Sequence, residues 1–400
     1  MVRASASGPI ELIVPLPPSY RGGTEEYAYR LARGFAGIVP TRALTTTVRW
    51  DPAAPQLDVG RADVQRLPAR EVFERPLLLR PAARSRLLTS ARSSRVVNLH
   101  MPFPLVEAPV ARTAQRAGVP VVLTYHMDAD LGGVSSGGTS RWITGMYRRW
   151  SAHPALGAAD TVVSNSRGYA EHSPVLSRHL SKVAVIAKGV DPVRLGLGRE
   201  NGHRERPACV SATIVPSGGQ CIAFVGRLVP YKGVSHLLDS VSELTRRGHR
   251  LTLLVAGKGP LRPSLEQQAR SLGIDEHVAF LGFVPDEQLG DLYRYADLTV
   301  VPSLGALESS ATTLEEAAAC GCPVVGSSIP GASESIPSDG VRGRLVPPGD
   351  GPALTNAIEE MLGRSRPPLP ERVRTWDDVV ADYVALFRSL GVTLDPPTYS

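Results

Sequence analysis

Short runs of Val, Ile and Leu alternate with longer amphipathic stretches along almost the whole chain. In the first half the runs are IELIVP from Ile10, RVVNLH from Arg95, PVVLTYH from Pro120, TVVSNS from Thr161 and VAVIAKG from Val183. In the second half they are CIAFVG from Cys221, LTLLVAG from Leu251, VAFLGFV from Val278, LTVVPS from Leu298 and PVVGSS from Pro323. Unbroken apolar runs suit strands buried on both faces, as in parallel sheets. Helical candidates lie between them, including 24–36, 234–247 and 261–272. A repeated strand–helix order of this kind predicts α/β architecture with two doubly wound domains.

A chain of 400 residues accommodates two ordinary domains, and 42% hydrophobic with 20% charged residues suffices for their cores. Between the halves, residues 194–219 are polar, rich in Gly and charge and without period, which reads as a linker or long surface loop. A second break, GRSRPPLPER at 363–372, precedes the amphipathic stretch TWDDVVADYVALFRSL. The expected boundaries are therefore 1–191 for the first domain, 192–219 for the linker, 220–372 for the second domain and 373–393 for a closing helix. The cysteines, Cys209, Cys221, Cys320 and Cys322, have neither zinc-ligand spacing nor the density of a disulfide framework, which suits a reduced, cytoplasmic setting. No run of eighteen apolar residues spans a membrane, and the apolar stretch at Ile10 is too interrupted for a signal peptide.

Charge is uneven. Residues 1–190 carry 24 Lys and Arg against 13 Asp and Glu, whereas 191–400 carry 20 against 25. A basic half can face phosphate, an anionic membrane or an acidic acceptor, but solvated arginine accounts for most of it. No nucleic-acid-binding motif accompanies it, and no nucleic-acid partner is expected.

The stretch ESSATTLEEAAACGCPVV, from Glu308, holds the main chemical signal. LTVVPS reads as a strand, TLEEAAAC as a helix ended by Gly321 and Pro323, and CPVVGSS as the next strand. Thr312 with Glu315, and Thr313 with Glu316, both have capping-box spacing, so the helix starts near Ala311–Thr313. Its opening amides then stand at the carboxyl end of a strand, where α/β folds bind anions. Glu308, on the preceding loop, and Glu316 suit the hydroxyls of a sugar and a ribose. A phosphate between them describes a nucleotide-sugar. On spacing alone, a merely capping Glu316 and a solvated Glu308 carry equal weight.

Glu308, seven residues, then Glu316 resembles the E-x7-E signature of the GT4 family of retaining glycosyltransferases, which have the GT-B fold. RGGTEEYAYRLA, NLHMPFPL, VVLTYHMDAD, SNSRGYAEHSPVL, FVGRLVPYKGVSHLLDSV, LLVAGKGP and LGFVPDEQLGDLYRYADLTVVPS resemble further segments of that family, in order over roughly 10–390. The resemblance implies two Rossmann-like domains facing across a cleft, the first binding the acceptor and the second the nucleotide-sugar. The C-terminal helix would cross back to the first domain. It implies donor-sugar contacts from Glu308 and ribose contacts from Glu316. The amides of Ala311, Thr312 and Thr313 would hold the distal phosphate, with Arg227 and Lys232 as a cationic pair on the diphosphate. Gly22 and Gly23 would bring backbone close to the donor, Phe283 and Val284 would cradle the base, and His126 would orient the donor sugar. His100, one strand away, reads as structural.

The same resemblance implies front-face displacement with retention and no metal or other cofactor. The acceptor hydroxyl attacks on the side from which the diphosphate leaves, while fixed cations stabilise the developing charge. Asp128 and Asp130 form a D-x-D pair of the kind that holds a divalent ion in the other glycosyltransferase fold, but three residues are a weak signal. Two departures stand out: Ser309-Ser310-Ala311 follows the first glutamate, and Lys188 stands where the family commonly has Asn. The stretch 141–153, RWITGMYRRWSAH, suits peripheral contact with an anionic membrane as well as a helix facing its own domain. Arg141, Arg148 and Arg149 equally suit the path of an acidic acceptor. A hexosyl transferase using a UDP- or GDP-sugar is the expectation; a GT-B nucleotide-sugar epimerase and a non-catalytic binding subunit are the alternatives.

Overall fold

The structure is a computed structural model and describes residues 8–20, 22–72, 75–77, 80–129, 138–198, 206–210, 218–305, 311–334, 336 and 339–394. Contacts divide the chain into two compact units, Met1–Ala187 with Trp376–Ser400, and Lys188–Thr375.

In the first unit the elements run β1 (Ile10–Ile13), α1 (Gly23–Ala36), β2 (Thr41–Thr46), β3 (Asp63–Leu67), β4 (Arg70–Val72), β5 (Arg75–Leu77), α2 (Pro81–Ser93) and β6 (Val96–Met101). They continue with α3 (Glu107–Arg116), β7 (Val121–Tyr125), α4 (Gly138–Tyr147), α5 (His153–Ala158), β8 (Thr161–Ser164), α6 (Arg167–His172) and β9 (Val183–Val185). Among the described residues the sheet has the order β3-β2-β1-β6-β7-β8-β9, with every pairing parallel, while β4 and β5 form a separate antiparallel ribbon. The first strand pairs β2 on one side and β6 on the other, so the winding reverses there.

In the second unit come β10 (Gln220–Val225), α7 (Val234–Arg246), β11 (Leu251–Ala256), α8 (Arg262–Ser271), β12 (Val278–Gly282) and α9 (Asp286–Tyr295). After them come β13 (Leu298–Val301), α10 (Thr312–Ala319), β14 (Val324–Ser327), β15 (Gly343–Val346) and α11 (Gly351–Leu362). The parallel order is β12-β11-β10-β13-β14-β15. Here the winding reverses between β10 and β13, and in such sheets the crevice beyond the strand ends at the reversal is where ligands bind.

The last helix, α12 (Trp376–Ser389), belongs to the first unit. Its buried stripe, Val379, Val380, Tyr383, Val384 and Phe387, lies against α1. The Phe35 and Phe387 rings stand 5.3 Å apart, and a side chain at Gly34 would collide with Val380. Burying a ring such as Phe387 stabilises by about 2–3 kcal/mol, so α12 is part of this core. The segment 194–210, read above as linker, gives Leu195 and Val210 to the second core.

Each of the ten apolar runs contains a strand, and the three helical stretches are helices. The apolar runs left out β2, β3 and β15 of the two parallel sheets, and both strands of the β4–β5 ribbon. The capping boxes expected at α10 do not form: Ala311, with no side-chain acceptor, is the N-cap, and Thr312 is already the first helical residue. In the 141–153 stretch, α4 widens into π-helical turns over Arg148–Ala152 before α5. Tyr147, Ser151 and Ala152 are buried, while Trp142, Met146 and Trp150 point outward at 65, 41 and 63% exposure. No helix among the described residues is long and apolar enough to cross a membrane.

Candidate functional site

In the second unit the predicted donor residues gather on segments that leave the carboxyl edge of the sheet beside the β10/β13 reversal. Arg227 follows β10, Lys232 closes a single 3-10 turn at Pro230–Lys232, and α10 opens after β13. Two backbone approaches fix this edge. Gly233 has φ +70°, and a Cβ there would meet the Pro302 carbonyl at 2.0 Å. Gly257, at φ +145°, lies so close to Gly226 that a Cβ would meet its carbonyl oxygen at 1.8 Å. Only glycine combines these dihedrals with such contact. The result ties the loop bearing Arg227 to its neighbours: Gly226 N–H donates to Ala256 O at 2.9 Å, and Leu228 N–H to Lys258 O at 3.0 Å.

Lys232 is partly buried, and its ammonium pKa is lowered to about 8, chiefly by desolvation and then by the charges of Lys188 and Arg227. Arg227 is exposed, and no carboxylate pairs with it among the described residues. Lys188 donates to Thr312 Oγ1 at 3.4 Å, and Thr313 donates its hydroxyl to Val225 O at 3.3 Å. Three cations thus stand near the opening turn of α10, where amides lack intrahelical partners. Gathering like charges in a partly desolvated place is unfavourable unless an anion joins them.

Glu316, one turn into α10, is 7% exposed. Arg194 donates to its Oε1 at 2.8 Å and the Tyr293 hydroxyl to its Oε2 at 3.1 Å. It is therefore held by side chains from 194 and α9 rather than serving as a cap. Arg194 itself sits on a rigid turn: Arg294 Nη1 donates to Leu195 O at 2.7 Å, and Arg194 N–H to Asp191 Oδ1 at 3.0 Å. Beyond β12, Phe283 is exposed, Val284 is buried, and the Lys258 ammonium stands 5.6 Å from the Phe283 ring centroid, a cation–π distance. Glu308 lies outside the described residues, as do Ser309 and Ser310.

Gly22, Gly23 and His126 belong to the first unit. Gly22 is the N-cap of α1, where a Cβ would collide with Glu25 and Tyr20, whereas a Cβ on Gly23 would meet nothing within 4 Å. His126 follows β7 and is 4% exposed, and its Nε2 lies 2.9 Å from His100 Nδ1. Burial lowers the His100 pKa to about 3, so His100 is neutral at ordinary pH. The two imidazoles are stacked, with Tyr27 edge-on to both. The Asp128 carboxylate is occupied within its own unit. Tyr125 and Ser173 donate to Oδ1 and Tyr169 to Oδ2, each at 3.0 Å. Asp130 lies outside the described residues.

The sequence did not single out Arg194, Tyr293 or Lys258. Arg194 lay in a stretch without periodicity, and Tyr293 reads from sequence as one more apolar position of α9. Lys258, in GKGP, had Gly on both sides as its only signal.

Residues 22–189 match a family model described as glycosyl transferase 4-like domain, and residues 212–375 one described as glycosyl transferases group 1. The O-antigen chain mannosyltransferase C of Escherichia coli is 25% identical over 93% of this chain and 96% of its own length. The D-rhamnosyltransferase WbpZ of Pseudomonas aeruginosa is 30% identical over 67% of this chain and 64% of its own length. The solved structure of Anabaena Alr3699/HepE with UDP superposes with a TM-score of 0.64 at 19% identity, covering 95% of this chain and 97% of that one. With two glycosyltransferase family models matching in succession along the chain, each over a unit built on a parallel sheet, the chain belongs to the GT4-like glycosyltransferases.

Proposed function

We propose that the chain moves a hexosyl-type sugar from a UDP- or GDP-sugar to an acceptor hydroxyl with retention at the anomeric carbon. The observation that carries this reading is the convergence of Arg227, Lys232 and the first turn of α10 beside the β10/β13 reversal. An array of fixed cations and helix amides suits a diphosphate. The UDP in the Anabaena neighbour and the mannosyl and rhamnosyl relatives support a nucleotide-sugar donor and a hexose-like sugar.

In this reading the acceptor oxygen bonds to the anomeric carbon on the face from which the diphosphate departs. The bond to the phosphate oxygen breaks, that oxygen takes the acceptor proton, and the glycoside and nucleoside diphosphate leave. Arg227 and Lys232 stabilise the charge gained by the leaving group, so no metal is required of the protein. The amides of Ala311, Thr312 and Thr313 hold the distal phosphate, and Glu316, oriented by Arg194 and Tyr293, accepts from the ribose. Glu308 and His126 contact donor-sugar hydroxyls, Gly22 and Gly23 lend backbone, and the loop at Phe283 and Val284 carries the base. The first unit takes the acceptor and the second the donor.

The acceptor is a glycolipid, a polysaccharide precursor or a natural product. Trp142, Met146 and Trp150, exposed on successive turns with the Arg149 guanidinium 5.7 Å from the Trp150 ring, suit peripheral contact with an anionic inner-membrane face. Sedimentation with anionic vesicles tests this; recovery of the protein in the supernatant rejects it.

Thermal-shift measurements with UDP-, GDP- and dTDP-sugars test the donor assignment, since a ligand bound only to the folded state raises the melting temperature. A shift with one base and glycoside formation with retained configuration are expected. Release of an isomerised nucleotide-sugar identifies an epimerase instead, and binding without turnover a non-catalytic subunit.

A further inference from the structure

Lys188 is the residue that the family pattern leaves without a role. It opens the second unit, directly after the chain leaves the first. Its ammonium reaches Thr312, the first helical residue of α10, at 3.4 Å. That threonine is one of the residues whose amides are assigned to the distal phosphate.

We propose that Lys188 is a third cation of the diphosphate site, contacting the phosphate bound at the opening turn of α10 and working alongside Arg227 and Lys232. The inference rests on the donor reading given above and adds to it a residue outside the family's cationic pair. Three observations carry it. The ammonium reaches the hydroxyl of a residue that forms the anion-binding turn, which places it beside that turn. Its charge is felt by Lys232, whose pKa it helps to lower, so the two ammonium groups share one electrostatic environment. The turn offers no side-chain acceptor at its own cap, because Ala311 holds that position.

The chemistry favours a third cation at this place. The amides of a helix terminus provide partial charge that fades within one turn. Arg227 and Lys232 approach from the loop after β10, whereas Lys188 comes from the segment that enters the second unit. The diphosphate is thereby met from separate directions, and its binding neutralises together charges that otherwise repel one another. A consequence is that the nucleoside diphosphate product is held tightly and with marked sensitivity to salt.

The test is isothermal titration of the full chain with UDP, GDP and dTDP over a series of sodium chloride concentrations, for wild type, Lys188→Gln, Lys188→Arg and Arg227→Ala. Lys188→Gln is expected to weaken the preferred diphosphate about tenfold or more, as loss of a charge-assisted hydrogen bond does, and to flatten the salt dependence. Lys188→Arg is expected to restore both, which a residue needed only for folding or for its neutral hydrogen bond would not require. Wild-type affinity and salt dependence in Lys188→Gln, with loss in Arg227→Ala, overturn the role of Lys188 and leave the donor reading standing. Failure of wild type to bind any of the three diphosphates overturns both.

Discussion

The two units differ in what becomes of their charged side chains. In the first, ionisable side chains are consumed inside the fold. Glu107 is fully buried, with Phe103 N–H at 2.6 Å and the Tyr147 hydroxyl at 2.7 Å on one carboxylate oxygen and the Ser151 hydroxyl on the other. Asp128 is held by three hydroxyls and His100 is neutral. In the second, Glu316 is held likewise by Arg194 and Tyr293, but Lys188, Arg227 and Lys232 gather at a sheet edge, where the charges of the first two help to lower the Lys232 pKa. Polar groups of the first kind define a single packing, whereas those of the second kind are held ready for an anion.

The largest expected effect tests the second half of this contrast. Arg227→Ala and Lys232→Ala should each lower turnover about 100-fold to 1,000-fold while shifting the melting temperature little. Steady-state assay with the donor found by thermal shift checks this, and a stability loss matching the activity loss would erase the distinction between the units. Next is Glu107→Ala, expected to cost about 2–4 kcal/mol of stability by stranding three buried donors. Urea denaturation measures it. Donor affinity per folded molecule should stay at the wild-type value, and a loss there would show that the first unit's internal network serves the donor directly.

A smaller effect concerns pH. Burial raises the Glu11 pKa to about 7 from 4.5, although Ser90, Arg42 and Ser94 favour its charged form. The folded chain therefore keeps a proton that the unfolded chain releases, and stability falls as pH rises from 4.5 to 7. For His100, at about 3 against an ordinary 6.5, the unfolded chain gains a proton first, so stability falls as pH drops from 6.5 to 3. Between 4.5 and 6.5 the two slopes oppose each other. Glu11→Gln should leave only the histidine slope, and its advantage over wild type in melting temperature should grow from pH 4.5 to 7; a constant difference across that range would rule out the Glu11 assignment. The smallest effect is expected at Phe283→Ala. Loss of an exposed ring beside Lys258 should weaken nucleotide binding only severalfold, about 1 kcal/mol, as titration would report.

Much of this architecture was written in the apolar runs, since a strand covered on both faces leaves few choices of residue. Strand β2, TRALTT, escaped because threonines fill it. Thr41 donates its hydroxyl to Val39 O and Thr46 to Pro15 O, so carbonyls beyond the sheet ladder satisfy two of these buried hydroxyls. The β3 and β15 strands are short edges with exposed positions and carry little hydrophobic signal. At the candidate site the order of motifs pointed to Arg227, Lys232 and Glu316. The capping expectation failed because two adjacent threonines compete for one register, and the fold assigns both hydroxyls elsewhere, to Lys188 and to Val225. Arg194 was hidden because its importance lies wholly in a contact across 122 residues with Glu316.

Helix α12 gives the chain an unequal history. The second unit is one continuous segment and can close its core as soon as that segment has been made. The first unit cannot, because Tyr27, Phe35 and the α1 face around Gly34 wait for Tyr383, Val380 and Phe387, more than 300 residues downstream. During synthesis the first unit therefore stays incomplete, its apolar flank uncovered, until α12 has been made.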